Sequence, residues 1–257
     1  MRQTEAGMDT QKQRFREVKE KMLGEERLRA SIGTLSEKTT HMILKNYYEP
    51  DVDKQEIPIG NYVADIFTGQ EIIEIQSAGF GKMRDKLEAF LPEYPVTIVH
   101  PIPHIKRLIW IDQETGALSA PHRSPKKGNA YDAFLELYRI RDYLADRHLT
   151  VKLLLMELEE YKLLNGYGKN KKIRASKYDR IPLDIIEEIV IERPEDLMQF
   201  VPLELEEPFT VKQFAKAAHI NDRMASLAIK LYQYYGMMEH NGKKGQAYLY
   251  ETRERIK

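Results

Sequence analysis

Two carboxylates in the stretch Tyr62 to Gln76, YVADIFTGQEIIEIQ, stand where buried strands normally carry valine or isoleucine. Asp65 interrupts the first apolar run, Glu74 interrupts the second, and Gln76 follows two residues later. Burying a carboxylate is costly unless a partner offsets its charge. A hard divalent cation with oxygen ligands would do so. It would also lower the pKa of a bound water and stabilise charge on a phosphate under attack. Side chains alternate along a strand, so Glu74 and Gln76 share a face while Ile73 and Ile75 turn to the opposite layer. The plainer reading makes Asp65 and Glu74 polar edge-strand residues facing solvent. Their apolar neighbours on both sides argue against it.

The elements that must position these groups are legible around them. Leu35 to Tyr48 is expected to be a helix, with Leu35, Thr39, Met42, Ile43 and Tyr47 on one face and Pro50 closing it. Glu37 and His41 share another face at i and i+4. Glu37 also completes a capping box with Thr34, so capping competes with a metal-site role for it. His41 reads as a partly exposed helical histidine. Glu56 to Ile59 is a strand signal whose Pro58 suggests an edge. Tyr62 to Ile66 and Glu71 to Ser77 read as a hairpin, followed by a helix from about Lys82 to Leu91. Val96 to Val99 and Arg107 to Ile111 read as two separate strands, and Asp112 to Gly116 as a tight turn.

This order resembles the PD-(D/E)xK nuclease superfamily: an acidic residue on a helix (Glu37), a strand with Asp65, a strand with Glu74-Ile75-Gln76, a helix, then a strand. The resemblance covers roughly residues 35 to 111. It implies an α+β fold with a restriction-endonuclease-like αβββαβ core and a mixed sheet. It implies Asp65, Glu74 and the Ile75 carbonyl as ligands to Mg²⁺ or Mn²⁺, with Gln76 orienting the water and Glu37 supporting the metal or its hydration shell. Two positions depart from the pattern. Ala64 precedes Asp65 where proline is common, and Gln76 stands where lysine is usual. Glutamine can orient a water but carries no positive charge to favour hydroxide. The whole chain further resembles a bacterial family of uncharacterised proteins that joins such a core to a C-terminal winged helix.

Composition bounds the rest. The chain has 257 residues, a formal net charge of zero and no cysteine, which excludes disulfides and thiolate zinc sites. No apolar run approaches the roughly 20 residues needed to span a bilayer, and the N-terminus lacks a signal-peptide core, so a cytoplasmic protein without membrane contact is expected. Bulk charge predicts no affinity for nucleic acid, so any basic surface must be local. Two loops supply one: Arg123, Lys126 and Lys127, then Lys169, Lys171, Lys172, Arg174 and Lys177. Flexible solubilising loops are the alternative. Lys82, nearest the motif at a helix start, is a candidate phosphate contact, against a solvated face paired with Asp85 and Glu88.

Four segments are expected: a polar extension over 1–33, the nuclease-like domain over 34–192, a linker over 193–208 and a winged helix over 209–257. In the last, Thr210 caps one helix, Asp222 to Tyr235 forms a second, and Met237 to Tyr250 a hairpin. Arg223 and Ser226 on the second helix and Lys243 and Lys244 at the wing are candidate DNA contacts. The alternative is a protein-contact module, with a homodimer as one expected assembly. The function expected is a metal-dependent DNA endonuclease, or else a catalytically inactive DNA-binding or regulatory protein of the same fold.

Overall fold

The computed structural model describes residues 5–29, 38–166 and 175–253. From residue 38 the elements run α2 (Lys38–Tyr48), β1 (Gln55–Ile59), β2 (Tyr62–Phe67), β3 (Ile72–Ile75), a 3-10 turn (Phe80–Met83) leading into α3 (Arg84–Phe90), and β4 (Val96–Asp112). There follow β5 (His122–Arg123), α4 (Phe134–Arg139), β6 (Leu149–Leu164) and β7 (Ser176–Ile191). Seven strands join in one mixed sheet of order β1-β2-β3-β4-β6-β7, with β5 on β4. β1 and β2 are antiparallel, whereas β3 and β4 are parallel, Ile72 opposite Val96 through Ile75 opposite Val99. Parallel neighbours need a crossover, and α3 lies in it. The chain is thus of mixed α+β class.

Two strands expected from sequence are one. β4 runs unbroken for 17 residues through Pro101 and Pro103. Both prolines lie beyond Val99, the last residue in register with β3, so their missing N–H groups remove nothing from that ladder. Residues 181–191, ambiguous between helix and strand in the sequence, belong to β7.

The chain divides into two compact units. The first comprises residues 1–69, 101–128 and 154–188, the second residues 70–100, 129–153 and 189–257. Within the first, α1 (Glu5–Arg29) precedes α2. The polar extension expected over 1–33 contains this helix. Phe15 is fully buried, edge-on to Tyr47 with ring centroids 5.5 Å apart. Arg14 donates to the Tyr47 carbonyl at 2.9 Å, and Lys19 to the Leu183 carbonyl at 3.1 Å.

Within the second unit, the residues expected as a linker contain a 3-10 turn, Pro194–Phe200, with Leu197 buried. Its Leu197 carbonyl accepts from Tyr232 Oη at 3.1 Å. Then come α5 (Val211–Ala217), α6 (Asp222–Tyr234), β8 (Met238–Lys244) and β9 (Ala247–Thr252), the last two an antiparallel pair. Thr210 and Gln213 form a reciprocal capping box on α5. Asn221 caps α6 through a 2.9 Å bond from the Met224 N–H. Gly236, at φ +67°, lets the chain leave that helix into β8. The cluster Phe134, Phe214 and Tyr232 packs this segment into its unit, with centroids 5.9 Å and 6.3 Å apart.

Candidate functional site

The second unit holds Glu74 and Gln76. All four residues of β3 are buried, and Glu74 is among them at 3 % exposure. Its charge is met by Lys86 from α3, whose Nζ donates to Oε1 at 2.9 Å and to Oε2 at 2.8 Å. From sequence Lys86, like Lys82, is a possible phosphate contact or part of a solvated face with Asp85 and Glu88. Its spacing gave a signal. Lys86 lies three residues after Met83 and four before Phe90, both buried, so it flanks the inward face of the helix. Lys82, the lysine singled out from sequence, is exposed.

The turn joining β3 to α3 is fastened at four points. The Gln76 N–H donates to the Val99 carbonyl at 2.9 Å, extending the parallel ladder. The Gln76 carbonyl accepts from His100 Nδ1 at 2.6 Å. The Gln76 side chain donates to the Ala78 carbonyl at 2.6 Å, so its amide is engaged within its own turn. Glu136 from α4 accepts from the N–H groups of Gly79 and Phe80 at 3.0 and 2.8 Å, while Arg139 donates to its other oxygen at 2.6 Å. Gly79 sits at φ +81°, a left-handed conformation that favours glycine. These bonds fix the exit from β3 and thereby the placement of Lys86 over Glu74.

Electrostatics follow from this packing. Burial pushes the His100 pKa down, outweighing the bond to Gln76 and the nearby Glu136, so the ring is neutral with its proton on Nδ1. Burial alone would raise the Glu136 pKa, but the Phe80 N–H, Arg139 and the Gly79 N–H together hold it below the usual carboxylate range. Sequence reading missed both residues, because each lies far along the chain from the turn it fixes.

The first unit holds Asp65. It points from β2 with its side chain 16 % exposed, and His41 Nε2 donates to Oδ2 at 3.0 Å. His41 therefore does more than occupy a helix surface: it orients a candidate ligand. Thr39, at the start of α2, donates to Asp179 Oδ2 at 2.7 Å. Asp179 is buried, its other oxygen has no hydrogen-bond partner among the described residues, and burial raises its pKa despite the bonds from Thr39 and the Arg180 backbone.

Asp65 and Glu74 lie in different units. Glu37, Lys171, Lys172 and Arg174 lie outside the described residues. Among the described residues, no group of three or more histidine, aspartate and glutamate side chains is gathered to hold a metal ion. Lys126, Lys127, Arg223, Lys243 and Lys244 are exposed, and Ser226 is half-buried on α6. Lys243 Nζ rests 4.7 Å from the Tyr248 ring centroid. Among the described residues no helix is long and apolar enough to cross a membrane.

Comparisons with known proteins place the chain without assigning it chemistry. An uncharacterised protein of Treponema pallidum (strain Nichols) is 25 % identical over 221 residues, covering 86 % of this chain and 87 % of the relative. No solved structure matches. Residues 38–192, more than half of the chain and the span from α2 to the start of the Pro194 turn, match the family described as Domain of unknown function (DUF8091), and the protein belongs to that family.

Proposed function

We propose that the protein is a metal-dependent nuclease that hydrolyses phosphodiester bonds in DNA. The observation that carries the reading is Glu74: a carboxylate 3 % exposed, on a strand whose every residue is buried. Such a group is retained against a large desolvation cost, and metal binding is a common reason. The order α2-β1-β2-β3-α3-β4, with β3 parallel to β4, supports a nuclease-like core. Two helices followed by a hairpin support a winged helix, with Arg223, Lys243 and Lys244 exposed for phosphate contacts.

The donors on offer fit a hard cation in kind. Asp65, Glu74 and the Ile75 carbonyl all present oxygen, the atom Mg²⁺ and Mn²⁺ take. A bound cation would supply Lewis-acid stabilisation of the phosphate and a more acidic water. The chain's own residues do the positioning. His41 holds one Asp65 oxygen. Lys86 donates to both Glu74 oxygens and competes with any second cation for them. Glu136 and His100 fix the turn that carries Gln76. The test is cleavage of plasmid DNA by the full chain with Mg²⁺ or Mn²⁺. Activity is expected to vanish in Asp65→Ala and in Glu74→Ala, and cleavage persisting in both would overturn the assignment.

A second reading has its own observation. Gln76 donates its amide to Ala78, and Lys86 takes both Glu74 oxygens. A nuclease fold that had lost its chemistry and kept DNA binding would look the same. It predicts DNA binding in a gel shift, no cleavage with either metal, and no heat of Mg²⁺ binding in calorimetry.

A further inference from the structure

Three cations converge on one buried carboxylate in the first unit, on the strands β4, β6 and β7. Glu160 is 4 % exposed. Arg180 Nη2 approaches Oε2 at 2.7 Å and its Nε donates to the same oxygen at 2.8 Å. Lys162 Nζ lies 3.5 Å from Oε1, and Lys106 Nζ lies 4.0 Å from Oε2. The side chains of Lys106, Lys162 and Arg180 are 19 %, 25 % and 28 % exposed, too little for bulk water to screen their mutual repulsion fully.

The charges do not balance locally. Burial would raise the Glu160 pKa, but Arg180, Lys106 and Lys162 hold it low, so the carboxylate is ionised. Lys106 is pushed the other way. Burial lowers its pKa first, and Arg180, Lys162 and Lys126 lower it further against the attraction of Glu160. Three positive groups thus surround one negative group, with Lys126 as a fourth cation close enough for Lys106 to feel. Half-buried cations in such excess attract an external anion.

The shape of the cluster says which anion. Contacts lead from Lys106, through Glu160 and Lys162, to Trp110, whose ring centroid lies 5.4 Å from Lys162 Nζ. All three cationic groups lie within 4.0 Å of the one Glu160 carboxylate, so together they offer a place for a single phosphate group.

We propose that Lys106, Lys162 and Arg180, held in shape by Glu160, form a short basic strip on the sheet that takes a phosphate of the duplex DNA backbone. This rests on the reading of DNA as the substrate, and it places the contact on the sheet rather than on the loops or the C-terminal hairpin alone.

The test measures binding of a fluorescent DNA duplex to the full chain by anisotropy over a range of salt concentrations. Lys106→Met and Lys162→Met are expected to weaken binding several-fold and to reduce the slope of log K against log salt by about 1 per phosphate contact removed. Glu160→Gln, which removes the central negative charge, is expected to tighten binding, a sign that a purely structural role would not produce. Thermal melts verify that each variant is folded, and the two lysine variants decide the matter if Glu160→Gln is not. DNA binding that persists with unchanged affinity and slope in the Lys106→Met/Lys162→Met double variant overturns the strip alone. No DNA binding by the unaltered protein at low salt overturns the strip and the DNA reading together. Reduced binding in the variants without metal-dependent cleavage by the unaltered protein supports the strip and overturns the nuclease.

Discussion

Lys86 reaches back from α3 to place its ammonium between both oxygens of Glu74, at 2.9 and 2.8 Å, on a strand where every other side chain is an isoleucine. The two residues are twelve positions apart in the chain. Removing one partner of a buried ion pair leaves an uncompensated charge and costs about 3–5 kcal/mol. Lys86→Met is therefore expected to lose that much stability in urea denaturation, and Lys86→Met/Glu74→Leu to recover most of it. If Glu74 binds a divalent cation, Mg²⁺ stabilises Lys86→Met more than the unaltered protein, because the competing ammonium is gone. An equal response to Mg²⁺ in both proteins would count against metal at Glu74.

Acid is expected to loosen the turn between β3 and α3 in two stages. His100 has a folded pKa below its ordinary 6.5. The unfolded chain then binds more protons between the two values, so stability falls as pH drops below about 6.5. Glu136 also has a depressed pKa, so its contribution is complete above the ordinary carboxylate value and is lost as pH falls through the folded one. Glu136→Gln is expected to cost about 1.5–3 kcal/mol at neutral pH, the worth of hydrogen bonds to a charged group. It also flattens the lower part of the pH–stability profile. Chemical denaturation from about pH 2 to 8, a range that runs from well below the ordinary carboxylate value to above the histidine one, measures both.

Asp179 behaves oppositely. Burial raises its folded pKa, so the folded state favours the proton and stability falls as pH rises from the unfolded to the folded value. Asp179→Asn removes the charge and keeps an acceptor for Thr39 Oγ1. It is expected to melt higher at neutral pH, by about 1 kcal/mol in stability, the lower end of the cost of an unsatisfied buried polar group. A lower melting temperature would show that ionised Asp179 is stabilised by its surroundings.

Phe15 ties α1 to α2 through Tyr47. Phe15→Ala is expected to cost about 3–5 kcal/mol, as for other fully buried phenylalanines. Hydrogen exchange across residues 10–23 reports whether the loss is local release of the helix or global. Unchanged exchange and stability would show that the helix docks without this ring.

Much of this molecule was legible in its sequence. Apolar runs, proline breaks and capping residues indicated the succession of elements from residue 38 to β4, and the Thr210 cap and the Asp222 to Tyr235 pattern indicated the two C-terminal helices. These are local effects: helix caps, turn geometry and alternation are decided within a few residues of the chain. The unusual carboxylates at 65 and 74 were visible for the same reason, as polar residues in apolar runs.

What closes on those carboxylates was decided by tertiary structure. His41 on Asp65, Lys86 on Glu74, and Glu136 on the turn after β3 are pairings between elements, 24, 12 and 56–57 residues apart. The fusion of two expected strands into β4 likewise depended on where its neighbour ended. The cations around Glu160 come from three strands that the sequence alone could not bring side by side. A polar residue can be recognised as out of place from its immediate neighbours, but the group that neutralises it is chosen by which element the fold lays against it.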